Sequence, residues 1–172
     1  MDFESLLSRV ALVLGIGLLI GLERGWRTRT AESGSRAAGV RTFAISGLLG
    51  GIAGAIAQTF SAAGGSIFLS VSFAAYAAVM TTFCRDENAA EGTFSATTAI
   101  AGLLTFTLGA YAIIGDQRIA AAAAIAATGL LAIREELHGL VEKITWPELR
   151  SGVRTSAPVR HRPSRPLILL GF

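Results

Sequence analysis

The run from Thr42 to Phe60 holds no charged residue, and after a short Ser61–Gly65 turn the run from Ser66 to Cys84 holds none either. Two uncharged apolar segments of this length, set back to back, restrict the fold severely. A helix rises ~1.5 Å per residue and the hydrocarbon core of a bilayer is ~30 Å thick, so about 20 apolar residues cross it. Across the 172 residues only 16% are charged and 52% are hydrophobic, where a soluble domain carries about 25% charge. Mean hydropathy is +0.56. Disorder is excluded for most of the length, because disordered segments are polar. Cys84 is the only cysteine, which excludes a disulfide scaffold. The expected fold class is all-α, a polytopic transmembrane helix bundle.

Five spans are expected, over 6–22, 42–60, 66–84, 93–114 and 119–133, together forming a transmembrane domain over 1–133. The first is interrupted by Arg9 and stopped by Glu23 and Arg24, and it follows an acidic start, Met1-Asp2-Phe3-Glu4. A cleaved signal peptide has a basic start and a small-residue cleavage site, so this segment reads as a retained span. Residues 85–92 read as a polar loop, and Gly115-Asp116-Gln117-Arg118 as a turn. The fifth apolar stretch is short, about 15 residues, and its Ala120–Ala124 run is weakly hydrophobic. Such a span either thins the bilayer or is shielded by neighbouring helices. Beyond it, apolar residues at 137, 140, 141 and 144 keep helical spacing, which predicts an amphipathic surface helix over 134–150. The remaining 151–172 is basic, contains prolines and lacks periodicity. It reads as an unstructured tail whose terminal Leu167–Leu170 run is too short to span.

Short loops rich in Lys and Arg stay cytoplasmic. The first loop carries Arg24, Arg27, Arg29, Arg36 and Arg41, and the segment after the fifth span carries Arg134, Lys143, Arg150, Arg154, Arg160, Arg162 and Arg165. With five crossings both fall on one side. The amino terminus is expected outside and the carboxyl terminus in the cytoplasm. The positive charge lies between apolar runs and does not form a face on a soluble fold, so nucleic acid is not an expected partner.

Helices in lipid gain little from burying apolar surface against one another, so small residues mark their contacts. The expected packing positions are Gly17 with Gly21, then Gly47, Gly51 and Gly54, and a stripe of Thr98, Gly102, Thr105 and Gly109. The second and fourth spans also resemble each other at an offset of 55: Thr42, Gly47, Leu48, Leu49 and Gly54 recur as Thr97, Gly102, Leu103, Leu104 and Gly109. A true repeat would be a parallel one, because an even number of crossings separates the two spans.

Ionisable groups at membrane depth usually have a partner or a task. Glu23 and Arg41 sit at corresponding edges of the first two spans, where they either pair and clamp the helix ends or act as boundary residues. Asp86, Glu87 and Glu91 fall in one short polar segment. They read as a solvated loop or as a weak carboxylate site for a hard cation such as Mg²⁺. His138 and His161 are assigned no chemistry. No metal-spaced His/Cys set, paired nucleophile and base, or phosphate-binding glycine loop is present, and nothing argues for an enzyme. The basic tail either contacts anionic headgroups or serves only to fix topology.

The segments Gly17-Leu18-Leu19-Ile20-Gly21-Leu22-Glu23-Arg24-Gly25-Trp26-Arg27 and Ala38-Gly39-Val40-Arg41-Thr42-Phe43-Ala44, followed by a Gly-rich apolar helix, resemble the MgtC/SapB family of bacterial inner-membrane proteins. Gly-Leu-Glu-Arg closing the first helix and Ala-Gly-Val-Arg-Thr opening the second match its core motif, at Gly21, Glu23, Arg24, Arg27, Gly39, Arg41 and Thr42. The run from Gly92 to Arg150 is similar to the later membrane segments of a longer subgroup. Two departures accompany the likeness. Longer relatives continue into further helices after a segment like Trp146–Ser151, so the chain reads as truncated or frameshifted there. Some relatives also have a Glu where Ala99 stands. The resemblance implies a multi-pass protein of the bacterial inner membrane linked to Mg²⁺ homeostasis. The implied role is a regulator contacting other inner-membrane proteins or further copies of itself. A cation-transporter subunit and an inactive fragment are the alternatives. No cofactor is expected, apart from the Mg²⁺ that the family raises.

Overall fold

A computed structural model describes residues 3–27 and 38–133, and the surface helix and basic tail expected over 134–172 lie outside them. Five helices follow in order: α1 (Phe3–Arg27), α2 (Val40–Ala57), α3 (Ala62–Glu91), α4 (Thr97–Ile114) and α5 (Gln117–Ala132). Among the described residues there is no strand. α1 to α4 are long and apolar enough to cross a membrane, whereas α5, with 16 residues, is shorter. The chain is an α-helical membrane bundle.

Several boundaries differ from the sequence expectation: α2 ends at Ala57 and not at 60, and residues 62–65, expected as a turn, are the first turn of α3, capped by the Ser61 side chain, which accepts from the Gly64 amide at 3.3 Å. Residues 85–91 are not a loop but the last two turns of α3, which has 30 residues. At ~1.5 Å per residue that is about 45 Å of helix, well beyond the ~30 Å hydrocarbon core, so its polar end is free to project from the apolar layer. Hydropathy marks where lipid ends, not where backbone hydrogen bonding ends. α3 stops at Gly92, whose φ of 65° is left-handed and costs glycine least. Asn88 fixes the following loop, accepting from the Thr93 amide on its carbonyl at 2.9 Å and donating its Nδ2 to the Ser95 carbonyl at 2.8 Å. α4 consequently begins at Thr97 and not at Thr93. The Asp116 turn is an N-cap: its carboxylate accepts from the Arg118 amide at 2.7 Å and the Ile119 amide at 3.3 Å, satisfying donors that would otherwise be orphaned.

α4 touches each of the other four helices, and α2 makes its most extensive contact with it. α1 packs on α2 and α4, α3 lies against α2 and α4, and α5 lies against α1 and α4. Phe43, Phe106, Ile20, Val13 and Thr105 are the largest fully buried side chains. One face of the alanine run in α5 is buried at Ala120 and Ala124, while Ile119, Ile125 and Leu130 point outward. The weakly hydrophobic segment is therefore partly shielded by α1 and α4.

Candidate functional site

The two halves of the Gly-Leu-Glu-Arg and Ala-Gly-Val-Arg-Thr pattern meet where the end of α1 crosses the start of α2. Small residues permit the meeting. A Cβ on Gly21 would lie 3.0 Å from both Val40 Cα and Val40 O, and one on Gly17 would lie 2.7 Å from Ala44 Cα. Opposed positions descend on one helix as they rise on the other, so α1 and α2 run antiparallel.

Glu23 does not pair with Arg41. Its ion pair is with its own neighbour, Arg24: Nε–Oε2 is 2.7 Å and Nη2–Oε1 is 3.1 Å. Both carboxylate oxygens are engaged by one guanidinium fork, the strongest geometry for such a pair. The Arg24 and Glu23 side chains are 8% and 9% exposed, whereas Arg41 is exposed. Of the two expectations, a clamp between Glu23 and Arg41 or two boundary residues, the clamp is not formed, because a side chain at a helix end is free to fold back on its neighbour. Arg27 ends α1, and its side chain lies outside the described residues.

Gly39 is the N-cap of α2, with extended backbone, and a side chain there would meet nothing within 4 Å. Thr42 works in both directions. Its hydroxyl accepts from the Gly39 amide at 3.4 Å, and its carbonyl accepts from the Ser46 hydroxyl at 2.7 Å. Ser46 in turn accepts from the Tyr76 hydroxyl at 2.7 Å. A polar chain thus leads from the start of α2 to the middle of α3.

The small residues behind the motif form two seams. Gly47 faces the Val13 carbonyl of α1 and the Thr105 methyl of α4. Gly51 touches the Val13 side chain with the Gly109 carbonyl beyond it, and Gly54 backs onto Ala110. Gly50 abuts the Phe106 carbonyl so closely that no methyl group fits between them. Partners rise together along α2 and α4, so these helices run parallel. The stripe on α4 is divided between neighbours: Thr105 and Gly109 meet α2, whereas Gly102 lies beneath Tyr76 and Met80 of α3. Thr98 is half-buried. Thr105, fully buried, satisfies its hydroxyl on the Ala101 carbonyl at 2.7 Å.

Asp86 and Glu91 are exposed on the last turns of α3, and Glu87 is half-buried. Among the described residues no three His, Cys, Asp or Glu side chains come together as a metal site. Ala99 is buried in α4.

Arg9 is the residue that hydropathy misread. It appears in sequence as a charge interrupting the first span. In the bundle its Nη1 donates to the carbonyls of Ala112 at 2.9 Å, Ile113 at 2.7 Å and Gly115 at 3.4 Å. These are the orphan acceptors at the end of α4, where the helix dipole also favours a cation. A lone charge inside an apolar run was the signal that could have found it.

A family model described as the MgtC family matches residues 10–140. Comparisons with curated proteins and with solved structures give no match.

Proposed function

Because the chain belongs to the MgtC family, we propose that this membrane protein resides in the bacterial inner membrane and serves Mg²⁺ homeostasis as a regulator, through helix contacts with other membrane proteins. In this reading the amino terminus is outside and the motif end of the bundle faces the cytoplasm, as the arginine-rich first loop favours. The observation that carries the regulatory role is the state of Glu23. A cation path through a membrane places carboxylates or oriented carbonyls along its course. The motif carboxylate is instead held by the Arg24 fork. Behind it, α1, α2 and α4 close on one another at backbone distance. Such a core suits a rigid scaffold that presents surfaces. The outer faces of α2 and α3, with Ile45, Ile52, Val71, Val79 and Phe83 exposed, are open to lipid and to other spans.

The experiment is growth of a bacterium that carries the gene and of its deletion strain, in ample and in limiting Mg²⁺. A defect confined to limiting Mg²⁺ is expected. Restoration is expected with the wild-type chain and not with Glu23→Ala. Equal growth of deletion and parent strains in limiting Mg²⁺ contradicts the reading.

A further inference from the structure

Arg9 stands in the second turn of α1, and no carboxylate of the described residues lies within ion-pair distance of it. Its three hydrogen bonds, to the carbonyls of Ala112, Ile113 and Gly115, all run through Nη1. Carbonyls share its protons but leave its charge uncancelled. Nε and Nη2 form the other edge of the guanidinium, and no described residue accepts from them. Among the described residues no buried side-chain nitrogen or oxygen lacks a hydrogen-bond partner, so both of these nitrogens reach the surface. Arg24 shows what this edge does when an oxyanion is at hand: its Nε and Nη2 take the two oxygens of Glu23.

We propose that the open edge of Arg9 binds a phosphate oxyanion at the membrane surface, supplied by a phospholipid headgroup. Three features carry this assignment. The planar fork of a guanidinium matches phosphate as it matches carboxylate, with two parallel bonds, and a charged group in a membrane segment needs such a partner. The level is right, because the carbonyls under Arg9 close α4, and the polar turn Gly115–Arg118 follows directly. The apolar layer therefore ends beside the guanidinium. The surroundings suit an amphiphile and not a free anion: Leu6 and Val10 on α1 and Ile114 at the end of α4 are all exposed, offering apolar surface to acyl chains. Asp116, the acid next to these carbonyls in sequence, caps α5 through the Arg118 and Ile119 amides and makes no ion pair with Arg9. The bound phosphate extends a bridge that runs through the guanidinium to the end of α4. It depends on where α4 ends and holds whichever way the bundle faces.

The test is lipid titration of the full-length chain in phosphate-free maltoside micelles, followed by native mass spectrometry. Wild type is expected to retain phosphatidylglycerol and not diacylglycerol of the same chains. Arg9→Gln should weaken phosphatidylglycerol binding about ten-fold or more, the value of a hydrogen bond to a charged group. Arg9→Lys, which keeps the charge without the fork, should fall between the two. Arg118→Gln removes an exposed cation at the same end and should weaken binding less than Arg9→Gln does. Inorganic phosphate should not displace the lipid, since it brings no acyl chains. Equal retention of the two lipids by wild type overturns the proposal without recourse to any variant. Equal losses in Arg9→Gln and Arg118→Gln overturn it too, because they would show attraction to charge at large. Displacement by inorganic phosphate that Arg9→Gln abolishes would make free phosphate the ligand and overturn the lipid source.

Discussion

Gly47 of α2 and Gly109 of α4 stand back to back, so near that a methyl group on Gly109 would fall on the Gly47 carbonyl oxygen. In water such a contact adds little to a large hydrophobic term. In lipid, where that term between helices is absent, close backbone approach is a principal source of association. The α4 positions facing α2 are 105, 106, 109 and 110, and the α2 positions facing α4 are 47, 50, 51 and 54. At the offset of 55, the α4 set corresponds to 50, 51, 54 and 55. Similar faces of the two similar helices therefore meet in parallel, at a small stagger.

Gly109→Ala and Gly50→Ala are each expected to destabilise the bundle by about 1–3 kcal/mol, the usual cost of forcing an extra carbon into a packed contact. Gly15→Ala and Gly129→Ala, where an added Cβ meets nothing within 4 Å, should leave stability unchanged or slightly raised. Thermal unfolding in detergent micelles checks the contrast. Equal sensitivity at all four positions would show that the seam does not hold α2 and α4 together.

Arg9→Gln should cost about 1–2 kcal/mol, from the loss of charge-assisted bonds at the end of α4. Arg9→Lys keeps the charge without the planar fork and is expected to recover about half of that. The local readout is amide hydrogen exchange over 109–115, which should quicken in Arg9→Gln more than exchange in α2 does.

Removing one member of a largely buried ion pair that engages both carboxylate oxygens takes away two charge-assisted hydrogen bonds, at about 1.5–3 kcal/mol each. Arg24→Gln is therefore expected to be strongly destabilising, and Arg41→Gln, on an exposed side chain, to change stability by less than about 0.5 kcal/mol. Chemical denaturation in micelles separates the two. If Arg41→Gln is the worse variant, a clamp through Arg41 is restored and the Glu23–Arg24 pairing is wrong.

Within the described residues, the number, order and type of helices were legible because an uncharged apolar run of span length fits little besides a helix crossing lipid. The end of α3 was not, because residues 85–91 are polar and apolar periodicity has nothing to say once a helix leaves lipid. The role of Arg9 was hidden by distance along the chain. Its acceptors lie more than 100 residues away, and only the packing of α1 on α4 brings them together. The Tyr76–Ser46 bond, across 30 residues, is non-local as well. Glu23 was recognisable as a residue of interest from its place after an apolar run, but its partner was decided by side-chain reach.

Orientation is tested with single cysteines in a Cys84→Ala background. A cysteine at Phe60, in the turn between α2 and α3, should react with an impermeant maleimide added to intact spheroplasts. One at Glu91, at the end of α3, should react only after permeabilisation. The opposite pattern inverts the bundle.

Magnesium flux into proteoliposomes containing the purified chain is the most direct measurement. With Glu23 engaged by Arg24 and the helices closed behind it, uptake is expected to equal that of protein-free vesicles, in wild type and Glu23→Ala alike. Saturable Mg²⁺ uptake by the wild type that disappears in Glu23→Ala would show a transporter and contradict the regulatory role.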